Sequence, residues 1–76
     1  MPRYFFHLGD REPDHDLEGT VLADVEGARD AALRFLSQSL VDRSEAFWAS
    51  PHLQLSVSDE SGEVLFAVCI GLAHSH

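Results

Sequence analysis

The sequence predicts an α+β fold. It reads as a two-layer sandwich in which one helix packs on a small, mostly antiparallel sheet, in the order β-(β)-α-β-β. Three observations carry this reading. Apolar residues recur at steps of three and four between Asp24 and Arg43, the spacing of a helix with one buried face. An aromatic-rich run, Arg3 to Leu8, lies near the start of the chain. A strictly alternating run, His52 to Ser58, leads through a turn into an apolar return strand.

Arg3 to Leu8 is bounded by Pro2 and by Gly9-Asp10, and its aromatic residues favour a strand. Tyr4, Phe6 and Leu8 point one way, and Arg3, Phe5 and His7 the other. Phe5 makes the second face partly apolar, which predicts a central or doubly covered strand. Residues 9 to 18 are a polar, acidic loop broken by Pro13. Gly19 to Leu22 is read as an optional short edge strand, with Leu17, Val21 and Leu22 folding back onto the helix or sheet.

The helix begins at Asp24, whose carboxylate can accept an orphan backbone N–H. Glu26 puts negative charge in the first turn, where the helix dipole favours it. Val25, Ala28, Ala32, Phe35, Leu36 and Leu40 form the face expected to enter the core. Glu45 and Ala46 allow the helix to continue towards Trp48, before Pro51 stops it. Phe47 and Trp48 are expected to plug the end of the helix.

Leu53, Leu55 and Val57 alternate with polar residues, as in a half-buried strand. Asp59-Glu60-Ser61-Gly62 reads as a hairpin turn, with Gly62 suited to a positive φ. Placing Ser58 opposite Glu63 sets Val57 beside Val64, Leu55 beside Phe66 and Leu53 beside Val68. The helix then covers that apolar face. Leu65, Ala67 and Cys69 fall on the opposite face with Gln54, Ser56 and either Phe5 or Tyr4. A single helix covers one face of a small sheet, so this second face is expected to be open and mixed in polarity.

The 76 residues make one domain, 1–76, with the tail 71–76 expected to be loose. A core this small gives limited stability, and self-association is a common remedy. Cys69 is the single cysteine, which leaves no internal disulfide and fits a reducing, cytoplasmic setting. Five Lys plus Arg against thirteen Asp plus Glu leave a net charge of −8. Binding a polyanion requires cations to displace its counterions, so no nucleic acid is expected as a ligand. An anionic membrane surface is disfavoured for the same reason. No apolar run approaches the ~20 residues of a membrane span.

The residues with chemical potential do not assemble into a recognised motif. His74 and His76 could offer two imidazoles to Zn²⁺, and His15 lies between Asp14 and Asp16. Asp10, Asp14, Asp16 and Glu18 supply hard oxygens but not the calcium-loop pattern. Cys69 stands in an apolar strand of an acidic protein, a poor setting for a thiolate. No glycine-rich phosphate loop or nucleophile elbow is present. No catalytic residue, metal site or cofactor is therefore expected, and the chain is not read as an enzyme.

The stretches MPRYFFHL, EGTVLADVEGARDAALRFL and SDESGEVLFAV resemble a family of small, uncharacterised single-domain proteins of soil and plant-associated alphaproteobacteria. Arg3 to His7, Glu18-Gly19, Leu22-Ala23-Asp24, Ala28, Ala32 and the turn 59–62 carry the likeness. The resemblance implies fold and origin, and assigns no activity, cofactor or catalytic residue. The strand, acidic Gly-containing loop and Ala/Leu-rich helix are also similar to antitoxin domains of the HicB type, without their appended DNA-binding helices.

The expected function is a non-enzymatic interaction module, a homodimer through the open sheet face or a paired edge. Phe5, His7, Leu65, Ala67 and Cys69 are the candidate interface. One alternative is a toxin-neutralising or other acidic protein that docks a basic partner through its first loop. Another is a small metal- or ligand-binding protein using His7 and the same loop.

Overall fold

Leu53, Leu55 and Val57 project to one side of a strand flanked by pairing partners on both edges, and this strand is the spine of the fold. The computed structural model describes residues 2–9 and 16–73. Its strands are β1 (Arg3–Leu8), β2 (Thr20–Val21), β3 (His52–Ser58) and β4 (Val64–Gly71). They form one antiparallel sheet in the order β2-β1-β3-β4. Helix α1 (Val25–Asp42) packs on one face, and a short helix α2 (Ser44–Ala49) follows it. The α+β sandwich and the central place of β1 agree with the sequence reading.

The core lies between α1 and the strands β1 and β3. Tyr4, Phe6 and Leu8 from β1 meet Leu53, Leu55 and Val57 from β3 beneath Ala28, Ala32 and Leu36 of the helix, and all nine are buried. Each fully buried large aliphatic or aromatic side chain contributes about 1.5–3 kcal/mol. Asp24 caps α1 by accepting the Gly27 N–H through Oδ1 (2.9 Å).

The buried stripe of α1 is narrower than its apolar periodicity suggests. Ala28 and Ala32 are fully buried, so the helix backbone sits close to the sheet and its flanking residues stay outside. Phe35 is 44% exposed, although its ring stacks on Phe6 at a centroid distance of 6.2 Å. Val25 is exposed as well. The chain breaks at Arg43 (φ −115°, ψ 29°), so α1 does not continue to Trp48. Phe47 packs against the core, but Trp48 is 67% exposed and meets Phe47 edge-on at 5.5 Å. The expected plug is thus Phe47 alone. Leu17 is 88% exposed and does not fold back, whereas Leu22 is half-buried.

The β3–β4 hairpin departs from the expected register. Asp59 N–H donates to Glu63 O (3.0 Å) and Gly62 N–H to Asp59 O (3.1 Å), so the turn closes one residue later than expected. Gly62 adopts φ +88° there. A bulge between Val57 and Ser58 adds a second one-residue shift. Val57 therefore faces Phe66, Leu55 faces Val68 and Leu53 faces Ile70. Two single shifts sum to an even number, so Phe66 and Val68 still lie on the helix side and Ala67 and Cys69 on the open side. Val64 is the exception: the later turn closure sets it opposite Ser58 rather than Val57, and it is largely exposed.

Among the described residues, no helix is long and apolar enough to cross a membrane.

Candidate functional site

The face of the sheet away from α1 divides into a part covered by the chain itself and a part that is bare. β1 contributes Phe5 and His7, β3 contributes Gln54, Ser56 and Ser58, and β4 contributes Ala67 and Cys69, with Leu65, the extra residue of the bulge, exposed next to them in the strand. Phe5, not Tyr4, is the aromatic on this face, since Tyr4 is buried in the core. Phe5 and His7 are half-buried, while Leu65, Ala67 and Cys69 are exposed.

Asp16 accounts for the covered half. Strand β2 pairs only with Arg3 and Tyr4, which leaves the next edge donor of β1 without a strand partner. Asp16 Oδ2 accepts that donor, the Phe6 N–H (3.2 Å). Its Oδ1 accepts the N–H groups of Glu18 (3.1 Å) and Gly19 (3.0 Å). Desolvation pushes the Asp16 carboxyl pKa up, but hydrogen bonds from Gly19, Phe6 and Glu18 and the charge His7 can carry outweigh it, and the net shift is down. Arg3 Nη1 donates to Glu18 O (2.7 Å) and closes the loop over the strand.

His7 sits between this loop and β3. The Asp16 N–H donates to its Nδ1 (3.3 Å), and its Nε2 shares a hydrogen bond of 2.9 Å with Ser58 Oγ. A serine, a histidine and an aspartate are thereby brought together. The Asp16 carboxylate is spent on backbone donors rather than on Nδ1, and Ser58 is buried. The group ties β1, β3 and the loop together.

Gly19 fits under this arrangement for two reasons. Its φ is +74°, and a Cβ built on it would lie 2.8 Å from Arg3 Cγ and 2.9 Å from Phe5 Cε2. Gly19→Ala is expected to cost about 1–3 kcal/mol, from left-handed strain plus the displaced side chains. Thermal melting checks it, and an unchanged melting temperature would show that the loop does not pack on β1. Gly62 has a similar φ but no atom within 4 Å of its Cβ direction, so Gly62→Ala should cost less.

The bare half is strand β4. From Val64 to Gly71 it contains no charged residue and no proline, in a chain of net charge −8. It is the outer strand of the sheet on that side. Gln54 borders it, with Cys69 Sγ 3.5 Å from Gln54 Oε1 and Gln54 Nε2 3.5 Å from Ser56 Oγ. The Cys69 thiol is exposed and has no base or cation beside it among these contacts.

Of the five candidate interface residues, the fold thus joins Leu65, Ala67 and Cys69 along one strand. It sets Phe5 and His7 apart, under the 16–19 loop. Among the described residues, no group of three or more His, Cys, Asp or Glu could hold a metal ion. Asp10, Glu12, Asp14, His15, His74 and His76 lie outside the described residues. The sequence reading missed Asp16 as an anchor. The signal was available: Asp16-Leu17-Glu18-Gly19 has the same Asp-x-x-Gly spacing as Asp59-Glu60-Ser61-Gly62.

Residues 3–71 match a domain of unknown function, DUF6894. The chain belongs to this family. The match spans every strand and helix described above, so the family model and the fold cover the same unit. No curated protein and no solved structure matches the chain.

Proposed function

We propose that this DUF6894 protein is a non-enzymatic interaction module that self-associates through the open side of β4. The supporting observation is that Leu65, Ala67 and Cys69 stand exposed on an uncharged outer strand. Elsewhere the surface is rich in acid, and two copies of a chain of net charge −8 repel wherever those acids meet. The β4 strand is where they can approach without that cost. A domain of this size also gains from burying further apolar surface.

Sedimentation and native mass spectrometry test the proposal. The wild type is expected to be a dimer. Leu65→Glu with Ala67→Glu should be monomeric with unchanged far-UV circular dichroism, because like charges would then meet across the seam. A dimer that survives both substitutions would move the seam away from β4.

A further inference from the structure

We infer that the partner of β4 is β4 of a second copy, paired edge to edge and antiparallel, so that the four-stranded sheet continues across a two-fold axis at Ala67. This rests on the self-association proposed above and specifies its geometry.

The hydrogen-bond pattern gives the outward-facing groups. Gly9 N–H donates to Gln54 O (3.0 Å), so the backbone groups of Gln54, and by alternation those of Ser56, face β1. Those of Leu53, Leu55 and Val57 then face β4, where their partners are Ile70, Val68 and Phe66. The backbone N–H and C=O of Ala67 and Cys69 are left pointing away from the sheet. An edge of this length with apolar side chains and no charge is a template for another strand.

A second copy fits this template at each position. A two-fold axis perpendicular to the sheet keeps both α1 helices on one face, so open-side residues pair with open-side residues. With the axis at Ala67, Ala67 faces Ala67 of the second copy and, on the helix side, Phe66 faces Val68, while Leu65, which the bulge leaves without a partner on β3, lies towards Cys69. Every such pair is apolar or weakly polar. Charge selects the same arrangement. Glu63 faces Gly71 of the second copy, and the two Glu63 residues stand about 27 Å apart at ~3.4 Å per residue. That exceeds the Debye length of ~8 Å at physiological salt. Parallel pairing in register would set Glu63 beside Glu63.

The helix layer points to the same place. Helix α1 packs over β3 and β1, where Leu53, Leu55 and Val57 are buried. Phe66, Val68 and Ile70 on β4 lie beyond its cover and are only half-buried. Edge pairing places the same row of a second copy beside them, which face-to-face stacking of the open sides does not do.

The test uses the full chain. Ala67→Pro removes an outward N–H and keeps an apolar open face, and an outer strand tolerates such a proline. Ala67→Pro is expected to be folded and monomeric by sedimentation. Separately, Ala67→Cys with Cys69→Ser should give a covalent dimer with a short bis-thiol cross-linker, since facing Cα atoms ~5.5 Å apart put the two thiols within its span. Cys69→Ser alone should give none. A folded Ala67→Pro that dimerises as the wild type does would overturn edge pairing and leave self-association standing. A wild type that is monomeric throughout would overturn both. If Ala67→Pro does not fold, the cross-link decides, and its absence in a dimeric protein overturns the edge geometry.

Discussion

Leu55→Ala is expected to remove about 3–5 kcal/mol of stability. Leu55 is fully buried on the central strand β3, with Leu8 of β1 on one side and Val68 of β4 on the other. Deleting its terminal atoms loses their transfer free energy and leaves a cavity that strands paired on both sides cannot close. A 76-residue domain has a total stability of roughly 4–11 kcal/mol, so this one change takes a large share of it. Urea unfolding is the measurement: the midpoint should fall while the slope stays the same. Val41→Ala is the control, because Val41 is exposed on α1 and the change should stay within about 0.5 kcal/mol. A loss below about 1 kcal/mol for Leu55→Ala would mean that β3 is not the packed centre of the fold.

The residues whose fate was legible in the sequence are those governed by one local rule. Asp24 as the helix cap follows from side-chain chemistry at the start of an apolar period. The faces of β1 and β3 follow from alternation, which needs no knowledge of partners. The register of the hairpin needed two quantities that alternation does not encode, namely where the turn closes and whether a bulge follows. Each shifted the pairing by one, and the faces came out as expected only because the shifts added. The width of the buried helix stripe also depends on tertiary distance. Ala28 and Ala32 let the helix approach, and that approach leaves Phe35 at the margin. For the site, the open face was legible from the same alternation. The burial of Phe5 and His7 was not, because it depends on a loop folding back over β1. Apolar periodicity does not report such a fold-back when the residue that drives it is a carboxylate.

That carboxylate sets the second large effect. Asp16→Ala is expected to destabilise the fold by about 2–3 kcal/mol, because three backbone donors lose a charged acceptor together. Asp16→Asn should fall between the wild type and alanine. Its Oδ1 can still serve Glu18 and Gly19, but its amide nitrogen meets the Phe6 N–H, donor against donor. The acid dependence of stability separates charge from packing. The Asp16 carboxyl is held below its ordinary value of 3.8 in the folded chain. The stabilisation it gives is therefore complete above that value and is lost as pH falls through the lower, folded pKa. The difference in melting temperature between wild type and Asp16→Asn should shrink below about pH 4. Asp59 is shifted the same way, first by the Ser61 hydroxyl, against an opposing desolvation that ranks next, with the backbone N–H groups of its turn adding to the downward shift. It remains in both proteins, so its contribution cancels in the comparison. A difference that is flat across the acid range would show that the Asp16 loop is held by shape alone. In that case Phe5 and His7 would not depend on the carboxylate for their cover. A difference that shrinks in acid would mean that ionised Asp16 keeps these two residues covered and leaves β4 as the exposed apolar part of the open face.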